Sequence, residues 1–362
     1  MIKLFLYIFL ILFFKLSSFC IYALENNSIT LQKVDYIDLI NWDKDNLLNA
    51  FQSFINSCVV IQKMPSDKVL SKELNIQVAN LQEVCNIAIN SNIFLNEDAK
   101  NFFETYFNPF LVLDKNNNDY GLFTGYYKTS INGSKIRNDK YKYPIYKRPL
   151  DLGSEPYYTR EEIENGILKN QGLELLYTDS KVDLLFLQIQ GSGKVVFEDN
   201  TYINLVFDGK NNRQYTSVGS ILIKKGYMKQ EDVNAISIKE WFNKNPDKID
   251  EIINQNQSYI FFKEGKDNFT RGSIGAVLTP MRSIAIDYNI MPYGCPFWLD
   301  TEMKVDGLNR KFRKLVIAQD TGSAIKGSVR ADIFFGEGEE AKYLASNMNF
   351  KGKYYILIPK QK

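Results

Sequence analysis

Two segments near the C-terminal end decide the fold: KLVIAQDTG (Lys314–Gly322) and VRADIFFG (Val329–Gly336). Each is an apolar run of strand length that carries an aspartate and closes on a glycine. Outward from them the same grammar repeats in RSIAIDYNIMPYG (Arg282–Gly294), PFWLD (Pro296–Asp300) and KYYILIP (Lys353–Pro359). Short strands at this spacing, separated by glycine turns, suit a compact barrel. Asp287, Asp320 and Asp332 fall at three of these apolar runs, so the barrel is able to bring them to one cleft. Singly, each reads as a turn cap that hydrogen-bonds its own backbone. Asp332 precedes Ile333–Phe335, and a carboxylate in so dry a strand is expected to hold its proton more tightly.

Upstream, the character of the chain changes twice. Residues 41–107 follow a helical period, as in LLNAFQSFINSCVVI and VANLQEVCNIAI, and end at the breaker Asn108-Pro109. Residues 121–217 read as short strands and turns, with Asn132-Gly133, Asp199-Asn200 and Asp208-Gly209 as hairpin signals. Helical pattern returns over 220–257, and from Tyr259 to Pro359 the sequence is expected to be β again. In FLQIQ (Phe186–Gln190) amide and apolar side chains alternate, which predicts a strand with Gln188 and Gln190 on one face. Amides there suit sugar hydroxyls, which both donate and accept, or they cap an edge strand.

The 362 residues include no histidine. That excludes Ser-His-Asp and Cys-His nucleophile systems and every His-ligated metal site, and leaves Asp, Glu, Lys, Tyr or Cys to carry any chemistry. Residues 1–24 read as an export signal: a basic start, the apolar run Leu4–Phe14, then Lys15 and smaller residues. The run is too short for a spanning helix. Leu16–Cys20 faintly resembles a lipoprotein cleavage site, with Phe19 where a small residue belongs. Without Lys3 and Lys15 the chain holds 42 basic and 42 acidic residues, so no bulk charge draws it to nucleic acid. Export permits a disulfide. The helical patterns around Cys58 and Cys85 are able to face the thiols across one seam, as a bridge or as two small buried groups; Cys295 is then left unpaired. Three scattered cysteines make no metal site.

Three strings invite sharper readings. Gln190-Gly-Ser-Gly-Lys194 lacks the earlier glycine and the Ser or Thr of a phosphate loop. Asp320-Thr-Gly-Ser-Ala324 matches an aspartic-protease turn, but such enzymes pair two copies and this chain has one. Thr124-Gly-Tyr126-Tyr127 and then Tyr141, Tyr143 and Tyr146 are interleaved with Lys135, Arg137, Lys140, Lys142, Lys147 and Arg148. This locally basic aromatic stretch offers flat faces and cations to carboxylates of a ligand, or is a solvated hairpin.

Taken together and in order, FTGYY, YPIYKRP, LFLQIQGSG, YTSVG, GAVLTPMRSIAID, IMPYGCPFWLDT, AQDTGSAIKG and ADIFFG resemble the membrane-bound lytic transglycosylase A family. The resemblance is strong over 120–359 and looser in the helical start. It implies a mainly β fold with helical additions: a double-psi β-barrel domain and a smaller inserted β-barrel, with a groove between them. The expected division is 1–24 signal peptide, 25–120 helical part of domain 1, 121–259 inserted domain with a helical tail, and 260–362 the three-aspartate part of domain 1. The implied reaction cleaves peptidoglycan between N-acetylmuramic acid and N-acetylglucosamine and leaves a 1,6-anhydro end. By the family's pattern Asp332 is catalytic, with Asp320 and Asp287 as supporting carboxylates. Thr124, Tyr126, Gln188, Gln190 and Ser192 are expected to hold sugar groups, with no metal or cofactor. Ser323 stands where the family usually has Gly. The protein is expected in the periplasm as a monomer, soluble or attached to the outer membrane. A non-catalytic expansin-like glycan-binding module is the rival reading.

Overall fold

In the computed structural model, residues 29–71, 73–322 and 324–360 are described; the expected export signal over 1–24 with Cys20, and Ser323, lie outside them. The chain begins with β1 (Ile29–Lys33), then α1 (Leu47–Ile61), the small hairpin β2 (Val69–Ser71) and β3 (Ile76–Gln77), α2 (Val78–Asn90) and α3 (Asn96–Tyr106). Helix α1 starts where the Asn46 side chain accepts from Asn49 N, and its stripe Phe51, Phe54, Cys58 and Ile61 is buried. Cys58 and Cys85 are joined in a disulfide across α1 and α2. Phe51 and Phe54 meet Phe102 and Phe103 of α3 with centroids 5.0 to 6.3 Å apart. Cys295 is free and buried, and burial pushes its thiol up.

Next come β4 (Phe107–Asp114), β5 (Gly121–Ser134), β6 (Tyr143–Tyr146), α4 (Arg160–Glu164), β7 (Glu174–Thr178), α5 (Lys181–Gln190), β8 (Ser192–Val196) and β9 (Tyr202–Lys210). Helices α6 (Val218–Lys224), α7 (Ala235–Lys244) and α8 (Ile249–Ile253) lead to β10 (Ile260–Glu264), β11 (Ser283–Ile286), β12 (Pro296–Val305), β13 (Leu308–Thr321), β14 (Arg330–Glu337), α9 (Glu339–Ser346) and β15 (Asn349–Pro359).

The hydrogen-bonded order β15-β12-β13-β11-β14-β5 closes on itself, because β5 also pairs with β15. This six-stranded ring is the larger unit. Within it β11–β13 and β14–β5 are parallel and the other pairs antiparallel. Strands β4 and β1 extend it beyond β15. The N-terminal helices are tied to it by a buried fork: Arg282 grips Asp45 through both carboxylate oxygens at 2.6 and 2.7 Å, and Asp45 also accepts from Leu315 N.

The smaller unit grows from the far end of β5, which pairs with β8 and β7; β6 joins β7, and β9 and β10 follow β8. Since β10 pairs with β9, this unit runs to Glu264, a few residues past the expected division at 259. Its core holds Ile131, Ile145, Leu176, Val195, Leu205 and Phe262, while α5 to α8 bury their own cluster around Leu185, Leu222, Phe242 and Ile252.

Four local readings are corrected. Residues 186–190 are not a strand but the end of α5. The helix is buried on most sides, so it shows no 3.6-residue polarity pattern, and the alternation is incidental. Asn132-Gly133 is no turn but lies inside β5, where a Cβ on Gly133 would come within 2.2 Å of Val195 Cγ1; the glycine serves close approach. Asp208-Gly209 lies inside β9, where the register to β10 shifts across a bulge. Helix α9 interrupts the region expected to be β throughout.

Candidate active site

The strand registers build the site from below. Ala285 on β11 faces Asp320 on β13 and Asp332 on β14, and Asp332 faces Thr124 on β5. Paired residues point to the same side, so these four form a row across four adjacent strands. With neighbouring strands ~4.8 Å apart, the two aspartate backbones are separated by about 10 Å. The small side chain of Ala285 between them leaves open floor.

That floor belongs to a cleft with about 200 Å³ of water-accessible space. From the larger unit come Gly125, Tyr126, Ala285, Asp320, Asp332, Thr321, Gly322, Ala324 and Ile325; from the smaller come Arg160, Gln188, Gln190, Tyr215, Asn256 and Ser258. The two aspartates thus look across at the two amides. Asp287 is not among them. It lies buried beyond the end of β11 and accepts from Gly327 N at 3.0 Å, which anchors the loop joining β13 to β14.

Each aspartate has its own partners. The Thr124 hydroxyl and Arg330 Nη1 both donate to Oδ1 of Asp332, and Arg330 Nη2 donates to Thr124 Oγ1 at 3.0 Å. Oδ2 of Asp332 carries no hydrogen bond among the described residues. Asp320 is saturated: Oδ1 accepts from Ser273 N, Ser273 Oγ and Thr321 N at 2.9, 2.6 and 2.8 Å, and Oδ2 from the Tyr126 hydroxyl at 3.0 Å. Withdrawal from water pushes the Asp320 carboxyl above its ordinary value despite these four donors. The Tyr126 hydroxyl is raised too, first by burial and then by the Asp320 charge, so it remains a neutral donor. Because the two carboxylates share no donor, they are not built as a proton-sharing protease dyad.

Thr124 and Tyr126 each donate their hydroxyl proton to an aspartate, Thr124 to Asp332 and Tyr126 to Asp320, and Tyr126 also lines the cleft. Gln190 Oε1 accepts from Tyr127 N at 3.4 Å. Gln188 is 4% exposed and its amide makes no well-formed hydrogen bond, the Tyr259 hydroxyl standing beside it. Ser192 sits on β8 opposite Val206, outside the cleft lining. Arg330, Ser273 and Arg160 were missed by sequence reasoning. Arg330 was findable, because a residue two before Asp332 on a strand shares its face. Arg160, fully buried, holds the carbonyls of Asn256 and Ser258 at 2.9 and 2.6 Å, a partnership made 96 residues apart that no local string records.

Fold and cleft together define a class: a closed barrel with an inserted β unit, the carboxylates of one facing the amides of the other. Residues 122–263 match the profile described as the MltA specific insert domain, and residues 282–358 match the 3D domain. The chain is 30% identical over 340 residues to a membrane-bound lytic murein transglycosylase A homolog of Buchnera aphidicola, covering 91% of this chain and 90% of that one. It is 34% identical over 241 residues to membrane-bound lytic murein transglycosylase A of Vibrio cholerae, a match spanning 65% of each chain. The crystal structure of a membrane-bound lytic murein transglycosylase from Agrobacterium tumefaciens superposes with a TM-score of 0.82 at 28% identity, covering 91% of this chain and 97% of that one. The chain belongs to the membrane-bound lytic murein transglycosylase A family.

Proposed function

We propose that the protein is a peptidoglycan lytic transglycosylase that cleaves the bond from N-acetylmuramic acid to N-acetylglucosamine, with Asp332 as its single acid and base. The carrying observation is the asymmetry of Asp332, a residue of the cleft lining: Oδ1 is held by Thr124 and Arg330, while Oδ2 accepts no hydrogen bond among the described residues. A proton on Oδ2 passes to the glycosidic oxygen as the bond to the anomeric carbon breaks. The resulting carboxylate then takes the proton of the muramic C6 hydroxyl while that oxygen closes on the anomeric carbon. A hydrolase generally needs a second carboxylate to activate water or attack carbon; here the sugar supplies its own nucleophile, at high effective molarity. Asp320, with both oxygens occupied, positions Tyr126 and Thr321, and Asp287 holds Gly327 on the connection to β14. Gln188, buried and under-satisfied, is suited to an acetamido or hydroxyl group of the strand. No step calls on a metal or cofactor.

The same reading takes the six-stranded ring as a double-psi β-barrel, places the protein in the periplasm with outer-membrane attachment left to its leader, and has it work as a monomer. Its partner is the glycan strand. One observation favours a second assignment, Asp320 as the acid: burial raises its carboxyl and it stands in the same row. Mass analysis of products released from isolated sacculi tests the function, since an anhydro end is lighter than a reducing end by one water. Soluble anhydromuropeptides are expected. Reducing ends would make the protein a hydrolase, and binding without release would make it a glycan-binding module; either overturns the proposal.

A further inference from the structure

Arg160 lines the cleft, and its guanidinium lies 3.7 Å from Glu164 and 5.2 Å from the ring of Tyr259. Both of those residues also line a second cavity of about 230 Å³, wholly within the smaller unit. Resting on the transglycosylase reading, we propose that this second cavity is a subsite for the carboxylates of the peptide stem carried by the glycan strand, recognised by Arg137 and Lys142 over a tyrosine floor.

The charges are the first argument. Glu164 is already shared by Arg160 and Lys181, and Lys181 is also held by Asp250 at 2.6 Å. Arg137 and Lys142 form no ion pair among the described residues, although they stand at the same cavity. Lys142 and Lys181 place their Nζ atoms 5.3 and 5.6 Å from the centroid of Tyr143. Basic and acidic residues balance in the chain without its leader, so an unpaired cationic pair at a concave aromatic wall is a local excess. A carboxylate meets there both the countercharge and phenol donors. The Tyr146 hydroxyl is pushed up to about 12 by burial and by the carboxylates of Glu174 and Glu164, which keeps it protonated and donating.

Reach is the second argument. Lys181, at the start of α5, lines this cavity, while Gln188, in the last turn of the same helix, lines the cleft. Seven residues of helix span about 10 Å at 1.5 Å each. An extended peptide covers about 10 Å in three residues. A stem attached to a muramic acid in the cleft therefore has the length to deliver its free carboxylates to Arg137 and Lys142, a specificity for peptide-bearing strands.

The test pairs binding with cleavage, in the wild-type protein and in Arg137→Ala/Lys142→Ala, two exposed positions whose truncation leaves the fold intact. By calorimetry, free N-acetyl-L-alanyl-γ-D-glutamyl-diaminopimelate is expected to bind the wild type at least tenfold more tightly than the double variant. It is also expected to bind tenfold more tightly than the same peptide with its carboxylates amidated. In cleavage, the wild type is expected to prefer peptide-bearing strands to amidase-stripped ones by about tenfold, and the variant to lose that preference. An unchanged preference together with no charge-dependent peptide binding overturns the proposal. Peptide binding lost in the variant with strand preference unaltered assigns the cavity to free peptide and overturns it as well. Absence of anhydro products from every substrate sinks the transglycosylase reading alone, because the calorimetry still decides the cavity.

Discussion

Arg330 and Asp332, two residues apart on β14, meet side by side on one face of the strand, and Arg330 reaches on to Thr124 of the parallel neighbour β5. One guanidinium thereby fixes both the carboxylate and the hydroxyl that donates to it. This leaves a single oxygen of Asp332 to work in the cleft.

If that oxygen shuttles the proton, Asp332→Asn should keep the fold and cost anhydromuropeptide release about 10²- to 10⁴-fold, the usual share of acid-base catalysis. Release from sacculi and the melting curve are the two measurements. Near-wild-type release would transfer the role to Asp320.

Arg330→Ala removes the clamp without touching the proton carrier. Turnover is expected to fall by roughly 10- to 100-fold with KM changed little, as misplacement of a catalytic group affects mainly the chemical step. Arg330→Lys restores the charge but not the fork that holds two partners, so it should recover only part of the loss. Full recovery by lysine would show that charge alone matters.

The strands that carry Asp320 and Asp332 were legible as apolar runs closing on glycines, whereas the row these residues form with Ala285 and Thr124 depends on pairings between distant strands. The two glutamines were legible as cleft residues and misread in their setting. Ser180 followed by Asp183 is a helix-start signal, and Ser180 does accept from Asp183 N; Gly191 at φ 72° then closes the helix. That signal outranks a five-residue alternation. The bond from the Thr124 hydroxyl to Asp332, 208 positions away, is not legible in any local string. Arg160 and Ser273 act through equally distant partners, and only the assembled fold brings these together.

Asp320 gives a pH signature. Its carboxyl is raised by burial, so between its unfolded and folded values the native state binds more protons than the unfolded chain, and stability declines as pH rises through that window. In Asp320→Asn the oxygen can still accept from Ser273 and Thr321 while the amide nitrogen donates to Tyr126. The variant lacks this decline, so its melting temperature relative to wild type should be more favourable at pH 7 than at pH 3. A difference independent of pH would refute the burial argument.

Gly125, between Thr124 and Tyr126 in the cleft lining, has no room for a larger residue: a Cβ would lie 2.7 Å from a Phe335 ring carbon and 2.8 Å from Ala345 Cα. Gly125→Ala forces β5 away from α9 and should destabilise by about 1–3 kcal/mol, the ordinary cost of overpacking. Because Thr124 moves with the strand, activity should drop even at temperatures where the variant is folded. Urea melts read alongside sacculus turnover check both halves.

The Arg282–Asp45 fork holds the N-terminal segment to the barrel from a place where neither charge sees water, both side chains being under 5% exposed. Removing one partner strands the other. Asp45→Ala should therefore cost about 3–5 kcal/mol, more than the lost contact itself, because Arg282 keeps its charge and Leu315 N loses its acceptor. Replacing both, as Asp45→Ala/Arg282→Met, takes the orphaned cation away and should recover much of the loss. Denaturant midpoints of the single and double variants decide the matter: if the double variant is no more stable than Asp45→Ala, the penalty lies in packing and not in the buried charge.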